Sequence, residues 1–412
     1  MGLTRPVQRR AAGGGTPADA GEPAQVRIAC FFSTSGHSGV DRAARHLIPA
    51  LARRGYRVDL LKVRRHGPNL DAEQGETPAG VGVVDLGSRH TYACLPAIVR
   101  YLRRERPAVL LSDKDRVNRT ALLARGLARI WGQVPTRLIL SSGTTISVDL
   151  ATRGRLERWV QRTSMGRLYP LADGVIVTSA GVADDMAVYT GLSRELIRVV
   201  PSPVVPESLF DAQLPRPDHP WLGDPARPLI LSAGELCGRK GFDTLLRAFA
   251  LVRAQRPCRL MILGRGAARE ALLALAAELG VAEDFALPGF VPRPYAWMAH
   301  ADLFAFSSRW EGLGFVLIEA LAVGTPVVAT DCPSGPREVL AQGRFGRLVP
   351  VDDHQAMAQA IRATLDAPLP PQTLRQAARP YAIEASTDAY LDAFGLPHGA
   401  KGRSGPGSGC GR

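Results

Sequence analysis

The chain has 412 residues, of which 46% are hydrophobic and 6% aromatic, and its formal net charge at pH 7 is +13. The length favours two domains, since a single hydrophobic core rarely serves a chain of this size. No apolar run reaches the roughly 18–20 residues that a membrane-spanning helix needs. The six cysteines form no Cys-x-x-Cys pair, which argues against a zinc site and fits the reduced thiols of a cytoplasmic protein.

The positive charge is concentrated in the first half of the chain. Residues 1–212 contain 30 Lys and Arg against 19 Asp and Glu, whereas residues 213–412 contain 21 against 19. This asymmetry indicates an anionic partner. Nucleic acid is disfavoured, because the arginines are not interleaved with aromatic residues and no helix-turn-helix or zinc-finger spacing occurs. An anionic membrane surface, a lipid-pyrophosphate acceptor, and an arginine-rich surface that only reflects a GC-rich genome are the open alternatives.

The first half of the chain shows the pattern of one α/β domain. Residues 1–24 are basic and then rich in Gly, Ala and Pro, without the apolar segment of a secretory signal, and predict a disordered leader. Alternating strands and helices at regular intervals then predict a parallel, doubly wound sheet. The predicted strands are 26–32, 57–63, 81–86, 108–112, 136–142 and 174–179, with helices from 40 onward and over 95–105 and 118–130.

A proline-rich segment, residues 201–228, interrupts this pattern and predicts an interdomain linker. The alternation resumes after it, which predicts a second doubly wound domain with its ligand crevice at the carboxyl ends of the strands. Its predicted strands are 228–234, 258–264, 303–308 and 326–330, and its helices are 242–255, 268–280 and 315–324. Neither half has a Gly-x-Gly-x-x-Gly fingerprint after its first strand, and no Walker phosphate loop occurs, so a nicotinamide dinucleotide is disfavoured.

The stretch RWEGLGFVLIEALAVGTPVVAT places two glutamates eight positions apart in an apolar setting. Glu311 follows a predicted strand, and Gly312 and Gly314 leave the neighbouring backbone N–H groups accessible to a ligand. The next helix begins near Phe315, so its positive end faces the crevice, and Glu319 lies one turn inside it. Two carboxylates on either side of these amides suit a nucleotide sugar, which has hydroxyls at both ends and negative charge between them. Solvated glutamates at a helix end are the alternative.

This stretch resembles the Glu-x7-Glu motif of the retaining GT-B glycosyltransferases, the group 1 or family 4-like enzymes that use nucleotide-sugar donors. Five further stretches resemble landmarks of that family in the same order, and together they cover roughly residues 26–395. They are SGHSGVDRAARHLIPALARRGYRVDLL, LILSAGELCGRKGFDTLLRAF, LMILGRGAAREAL, LPGFVPRPYAWMAH and DCPSGPREVLAQGRFGRLVP.

The resemblance implies an α/β GT-B fold, in which two doubly wound Rossmann-like domains face each other across a cleft. The implied segments are an acceptor-binding domain (25–200), the linker (201–228), a nucleotide-sugar-binding domain (229–380), a helix returning towards the first domain (381–395) and a disordered tail (396–412).

The resemblance also implies roles for individual residues. Glu319 binds the ribose hydroxyls of the donor, while Glu311 and the adjacent amides hold the transferred sugar and the β-phosphate. Lys240, assisted by Arg239, neutralises the diphosphate as it leaves. The implied amide donors are Gly312, Leu313, Gly314 and Phe315, and the other implied donor contacts are Gly39, Gly264, Phe290 and Val291. Fixed cations and amides stabilise charge that grows on a leaving phosphate. We therefore expect neither a metal nor a cofactor.

Two positions depart from the family pattern. Glu235 occupies a position where arginine is usual, and its carboxylate either faces the diphosphate and repels it or pairs with a neighbouring arginine. Gly143 occupies a position where many relatives have histidine, near the reacting face of the sugar. The candidates for acceptor contacts are therefore His37, Ser142, Thr144 and Thr145.

We expect a metal-independent, retaining hexosyltransferase that moves a hexose or N-acetylhexosamine to a lipid-linked or polysaccharide acceptor in cell-envelope glycan synthesis. The local similarity of DCPSGP to relatives that use UDP-sugars favours a UDP-sugar donor. The expected partners are this nucleotide sugar and a glycan or polyprenyl-pyrophosphate-linked acceptor, at the inner face of the cell membrane. The alternative is a non-catalytic GT-B protein that binds sugar nucleotides within a polysaccharide synthase complex.

Overall fold

The structure is a computed structural model that describes residues 25–34, 39–64, 67–68, 70, 77–130, 132–151 and 153–399. The described chain forms two parallel β-sheets, one of seven strands and one of six, each flanked by helices. This is the predicted α/β architecture of two doubly wound halves. The leader over residues 1–24, His37 and residues 400–412 lie outside the described residues.

The N-terminal sheet has the strand order β3-β2-β1-β4-β5-β6-β7, and all its strands are parallel. Its strands are β1 Arg27–Phe32, β2 Arg57–Lys62, β3 Val81–Asp85, β4 Val109–Asp113, β5 Arg137–Ser142, β6 Gly174–Val177 and β7 Ile197–Val199. Its helices are α1 Gly39–Arg53, α2 Leu95–Glu105, α3 Asp115–Ile130, α4 Ile146–Asp149, α5 Arg155–Leu168 and α6 Ala180–Thr190.

The central strands are apolar on both faces because helices cover both faces of the sheet. In β4 all five residues are buried. Leu110 packs in a cluster with residues of α2, α3 and α6, whereas Leu111 packs on the opposite face in a cluster with residues of α1. Successive side chains of a strand point to opposite faces, so a continuous apolar run is what this position requires.

The C-terminal sheet has the order β10-β9-β8-β11-β12-β13 and is also parallel. Its strands are β8 Leu229–Ala233, β9 Arg259–Leu263, β10 Phe285–Gly289, β11 Leu303–Phe306, β12 Val327–Thr330 and β13 Arg347–Val349. The helices of this half are α7 Phe242–Arg253, α8 Arg269–Glu278, α9 Tyr295–Ala299, α10 Phe315–Val323, α11 Pro336–Val339, α12 His354–Asp366, α13 Pro371–Ala378 and α14 Ile383–Phe394. In both sheets the strand order reverses beside the first strand, and ligands of such sheets bind at the carboxyl ends there.

The chain passes between the two halves at two places that pack against each other. Within the predicted linker, Val204 and Phe210 are buried in a core cluster of the C-terminal half, and Val205 forms an isolated parallel bridge with Ala382. The last helix, α14, packs against the N-terminal half: its Phe394 lies in the apolar cluster of β1 and α1. No helix among the described residues is long and apolar enough to span a bilayer.

Candidate active site

A cleft of about 730 Å³ lies between the two halves, at the carboxyl ends of both sheets. This volume is within the usual range of small-molecule sites. We call its two sides the N-terminal wall and the C-terminal wall. The N-terminal wall contains Gly39, Arg42, Asp113, Lys114, Ser141, Gly143, Thr144 and Thr145. The C-terminal wall contains Glu235, Arg239, Lys240, Phe290, Glu311, Gly312, Leu313, Gly314 and Phe315.

Glu311 lies in the loop after β11, where two cations and a hydroxyl contact its carboxylate. Lys240 Nζ is 2.6 Å from Oε1, and Arg239 Nη1 is 2.8 Å from Oε2. The hydroxyl of Ser308 donates a hydrogen bond of 2.8 Å to Oε1. Burial by itself raises the pKa of Glu311, but the two cations outweigh it and lower the pKa below its usual value. The carboxylate is therefore ionised at neutral pH.

The turn that carries the two cations is fixed by close backbone packing. Gly241 ends this turn with φ +59°, and a Cβ there would lie 2.2 Å from the carbonyl oxygen of Ser307, so only glycine fits. The hydroxyl of Ser307 in turn donates to the carbonyl of Lys240. Arg309 also supports the turn, since its backbone N–H donates to the carbonyl of Arg239 at 2.8 Å.

The loop after Glu311 leads into the N-terminus of α10, which has no side-chain cap. Gly314 precedes the helix with φ +87°, a left-handed conformation that favours glycine. The first N–H groups of a helix have no partner inside the helix and carry a partial positive charge. These amides border the cleft beside Glu311, which is the arrangement in which helix N-termini bind phosphate.

Glu319 is fully buried one turn inside α10, and it does not line the cleft. Among the described residues, its charged partner is Arg42 on α1, across the cleft. The guanidinium carbon of Arg42 lies 5.6 Å from the centre of the Phe315 ring. Burial lowers the pKa of Arg42. In this conformation, an arginine of the N-terminal half therefore occupies the approach to Glu319.

The two walls contact each other at the loop that follows Glu311. A Cβ on Gly312 would lie 1.8 Å from the carbonyl oxygen of Gly143. The hydroxyl of Thr145 donates to the carbonyl of Glu311 at 2.9 Å, and the hydroxyl of Ser179 donates to the carbonyl of Gly312 at 2.9 Å. The structure therefore shows the halves in contact at the Glu311 loop.

The N-terminal wall carries a buried carboxyl and an exposed cation at the end of β4. Burial raises the pKa of Asp113 to about 6, although Ser141 and Lys114 counteract it in part. Lys114 is exposed and has φ +75°, which is uncommon for a residue with a side chain. Residues in such conformations are concentrated at functional sites.

The structure brings most of the predicted site residues together, with four exceptions. Gly264 does not line the cleft: it packs behind it, where a Cβ would lie 1.8 Å from the carbonyl oxygen of Gly234. Val291 packs against the core of the C-terminal half, while its neighbour Phe290 lines the cleft. Ser142 points away from the cleft, and Ser141 lines it instead, because adjacent strand residues face opposite sides. The fourth exception is Glu319, which is buried inside α10.

Sequence reasoning missed three polar side chains of the site. Ser308 stands at the end of a predicted strand, a position that could have indicated a role beside Glu311. Asp113 directly follows the predicted strand 108–112 and could have been found by a similar rule. Arg42 gave no local signal, because its partner Glu319 belongs to the other half of the chain. Glu235 is exposed on the C-terminal wall and forms no ion pair with any described residue, so its pairing with an arginine is not observed.

Two parallel doubly wound sheets across a cleft define a GT-B glycosyltransferase fold, and solved structures match it over nearly the whole chain. The apo form of the lipopolysaccharide outer core galactosyltransferase WaaB aligns with a TM-score of 0.68 and 16% identity, over 90% of this chain and 99% of that one. Anabaena HepE in complex with UDP and glucose aligns with a TM-score of 0.72 and 18% identity, over 90% of this chain and 100% of that one. At these identities the likeness concerns the fold alone.

Two family models match successive parts of the chain. The model of Glycosyltransferase Family 4 matches residues 37–208, and that of Glycosyl transferases group 1 matches residues 227–367. The chain therefore belongs to the group 1, family 4-like glycosyltransferases.

Curated relatives include two bacterial enzymes of glycan synthesis. An N-acetylgalactosamine-N,N'-diacetylbacillosaminyl-diphospho-undecaprenol 4-alpha-N-acetylgalactosaminyltransferase of Campylobacter jejuni is 35% identical, over 58% of this chain and 63% of that protein. The lipopolysaccharide core biosynthesis glycosyltransferase LpsE of Rhizobium meliloti is 28% identical, over 87% of this chain and 96% of that protein. The match to the first relative thus spans slightly less than two thirds of its length.

Proposed function

We propose that this chain is a retaining hexosyltransferase that moves a hexose or an N-acetylhexosamine from a UDP-sugar to a lipid-linked or polysaccharide acceptor in cell-envelope glycan synthesis. The observation that carries the proposal is the ionised Glu311 in contact with Lys240 and Arg239, beside the uncapped N-terminus of α10. Anionic, cationic and amide groups are thereby gathered within one cleft of suitable volume.

The C-terminal wall would bind the donor through its diphosphate. Without donor, Glu311 neutralises the two cations. A bound β-phosphate would share Lys240 and Arg239 with that carboxylate and accept hydrogen bonds from the amides of Gly314 and Phe315. The HepE structure, which contains UDP and glucose, supports a UDP-sugar as the donor.

The ribose would reach Glu319 only after Arg42 has moved aside, because Arg42 now contacts that carboxylate. Donor binding would therefore replace an ion pair between the two halves with hydrogen bonds to a diol. A carboxylate accepts two such bonds, and hydrogen bonds to a charged group contribute about 1.5–3 kcal/mol.

During transfer, the bond between the anomeric carbon and the phosphate oxygen breaks while an acceptor hydroxyl oxygen bonds to that carbon. The proton of this hydroxyl passes to the leaving diphosphate, on which negative charge grows. Lys240, Arg239 and the amides of α10 stabilise that charge in positions fixed before the reaction. Glu311, which keeps its negative charge because its pKa is lowered, stabilises the positive charge that develops on the sugar. Since these groups neutralise the diphosphate, we propose that transfer needs neither a metal ion nor a cofactor.

The N-terminal wall would hold the acceptor. Asp113 and the hydroxyls of Ser141 and Thr144 are suited to hydrogen-bond sugar hydroxyls, and Lys114 offers a cation to an acceptor phosphate. The name of the Campylobacter jejuni relative, which includes a diphospho-undecaprenol group, supports a lipid-linked acceptor. With such an acceptor, the protein would work at the inner face of the cell membrane.

A donor panel tests the proposal. Purified protein would be incubated with UDP-, GDP- and ADP-linked hexoses and N-acetylhexosamines, each with membrane lipid extracts, and both nucleoside diphosphate release and product mass would be measured. We expect release and transfer from one or two UDP-sugars, and a product whose anomeric coupling constant matches that of the donor. An inverted anomeric centre would overturn retention. Tight nucleotide-sugar binding without release from any donor would favour the non-catalytic alternative.

A further inference from the structure

Helix α5 of the N-terminal half packs weakly against the rest of the protein. Of its residues, only Met165 is buried. Leu156, Trp159 and Val160 are exposed by 74%, 63% and 40%. Surface helices normally turn an apolar stripe towards the core, whereas grouped apolar residues on the outside of a protein mark a surface that contacts a partner or a membrane.

These three residues share one side of the helix. Their spacing of three and four positions places them together, since an α-helix has about 3.6 residues per turn. By the same geometry, the buried Met165 lies on the opposite side, about half a turn away. The apolar strip of Leu156, Trp159 and Val160 therefore points away from the protein core. We call this strip and the arginines beside it the α5 surface.

The α5 surface is strongly basic. Residues 153–167 contain five arginines and one acidic residue, Glu157. Arg155 and Arg162, seven positions apart, border the strip on the side of Trp159, and neither forms an ion pair with a described residue. Unpaired arginines beside an exposed tryptophan and aliphatic side chains are typical of helices that lie in the interface of an anionic membrane. Tryptophan is enriched at that depth because its ring is partly polar.

The α5 surface is close in the chain to the N-terminal wall of the cleft. Thr144 and Thr145 line that wall, α4 follows directly, and α5 begins at Arg155. The side chain of Ser147 on α4 hydrogen-bonds Asp185 on α6, which fixes α4 against the domain. A head group that belongs to a lipid beneath α5 would therefore be on the acceptor side of the cleft.

We propose that the α5 surface docks the protein on an anionic phospholipid membrane, with Leu156 and Trp159 inserted among the head groups and Arg155 and Arg162 bound to lipid phosphates. This deepens the proposed function, because the same membrane would present a lipid-linked acceptor. The arginine excess of the N-terminal half thereby acquires a defined location. Nucleic acid does not suit this surface, which has one exposed aromatic residue and no series on which bases could stack.

Vesicle flotation tests the proposal with the full chain and without donor or acceptor. The vesicles are phosphatidylcholine alone or phosphatidylcholine with phosphatidylglycerol. We expect binding only to the anionic vesicles and release as salt rises, since salt screens exposed charges. Arg155→Glu with Arg162→Glu should weaken binding about tenfold or more, and Leu156→Ser with Trp159→Ser should weaken it at any salt concentration.

The matched control changes the same charge elsewhere in the N-terminal half. Arg100 and Arg103 on α2 are exposed and form no ion pair with a described residue, so Arg100→Glu with Arg103→Glu should change binding by less than about twofold. An equal loss of vesicle binding in the two double variants would mean that net charge alone drives binding, and would overturn the proposal. Equal binding to both vesicle types would overturn it as well.

Two further readouts distinguish membrane insertion from self-association. Tryptophan emission should shift to the blue with anionic vesicles, and Trp159→Phe should remove that shift. A lower sedimentation mass for Leu156→Ser with Trp159→Ser would instead show that a second copy covers this surface, and would overturn the proposal. Melting temperature and UDP binding check the fold of every variant. Because flotation needs no turnover, it can fail while the transferase function stands, and it can succeed while no donor is used.

Discussion

The two walls of the cleft differ in how they are built. The C-terminal wall contains glycine-dependent turns, and there Glu311 neutralises Lys240 and Arg239. The N-terminal wall is formed mostly by neutral side chains, with two cations, Arg42 and Lys114, and two carboxyls, the buried Asp113 and the exposed Asp149. A site that stabilises growing charge needs groups fixed in advance, whereas a site for a variable acceptor needs shape and hydrogen bonds. The difference fits the proposed donor side and acceptor side.

The largest effect is expected at Lys240, which belongs to the C-terminal wall. Charge on the leaving phosphate grows in the transition state, so Lys240→Ala should lower kcat by about 10²–10³, with a smaller change in KM. Lys240→Arg should recover only part of this loss, because a planar guanidinium does not reproduce a compact ammonium. Steady-state kinetics on the donor found by the panel would measure both. Near-normal turnover of the alanine variant would show that the leaving phosphate does not bind at Lys240.

The contact between the walls should be sensitive to a single methyl group on one side only. Gly312→Ala would place a Cβ 1.8 Å from the carbonyl oxygen of Gly143, whereas Gly143→Ala would meet only Thr178, at an ordinary 3.5 Å. A displacement of about 1 Å in a catalytic site can cost about 10²-fold in rate. We expect a loss of that order in kcat/KM for Gly312→Ala, and little change for Gly143→Ala. Similar values for the two variants would show that closure at this point does not matter.

Substitutions in the ion pair of Arg42 with Glu319 should affect both donor binding and the stability of the fold. Glu319→Ala should weaken donor binding by about 1.5–3 kcal/mol, as measured by calorimetry. Arg42→Ala leaves a buried carboxylate without its cation, so the free protein should melt at a lower temperature. UDP should then raise the melting temperature of Arg42→Ala by more than it raises that of the parent. An equal rise in both proteins would show that Glu319 does not contact the ribose.

A moderate gain in donor affinity is expected when Glu235, the exposed carboxylate of the C-terminal wall, is replaced by arginine. Because it forms no ion pair with any described residue, Glu235→Arg breaks no such pair and replaces repulsion of the diphosphate by attraction. An exposed charge contributes about 0.2–1 kcal/mol, so the Kd for the donor should fall up to about fivefold. Glu235→Gln is the control and should give part of the gain. Weaker donor binding in the arginine variant would indicate that Glu235 contacts the sugar instead.

The last effect concerns stability alone and belongs to the N-terminal wall. Burial raises the pKa of Asp113 to about 6 in the folded protein, above its value of about 3.9 in an unfolded chain. The folded state therefore binds more protons than the unfolded state between these values, and this carboxyl stabilises the fold less as pH rises through that window. Asn at this position does not titrate. The melting temperature of Asp113→Asn relative to the parent should therefore rise from about pH 4 to about pH 6 and then stay constant. A constant difference throughout would show that Asp113 has an ordinary pKa.

The sequence predicted the C-terminal wall better than the N-terminal wall, for a physical reason. Glu311 and Lys240 each lie in short loops between a strand and a helix, where glycine spacing and strand ends are visible locally. On the N-terminal wall, the choice between Ser141 and Ser142 depends on which face of β5 points to the cleft, and a difference of one residue reverses it. The contact of Arg42 with Glu319 joins residues far apart in the chain, and no local pattern records it.

Fold prediction failed at three of the four sheet edges, and β3 is the edge strand that was predicted. The strands β7, β10 and β13 were not predicted, whereas the central apolar strands were. β7 and β13 have three residues each, and β10 includes Pro288 and Gly289, which are rare inside strands. Such edge strands are recognised by their pairing with a neighbour, as β10 pairs with β9, rather than by their own composition.

The contact of Gly143 with Gly312 has a consequence for how nucleotide affinity should be interpreted. The walls are in contact and Arg42 is ion-paired with Glu319, so a nucleotide that binds this carboxylate must first displace a contact between the halves. A nucleotide would then enter only the fraction of molecules whose halves have separated, and its apparent affinity is reduced by that fraction. A modest affinity for free UDP would consequently measure the equilibrium between open and closed protein, and any mutation that favours opening would tighten UDP binding without adding a contact.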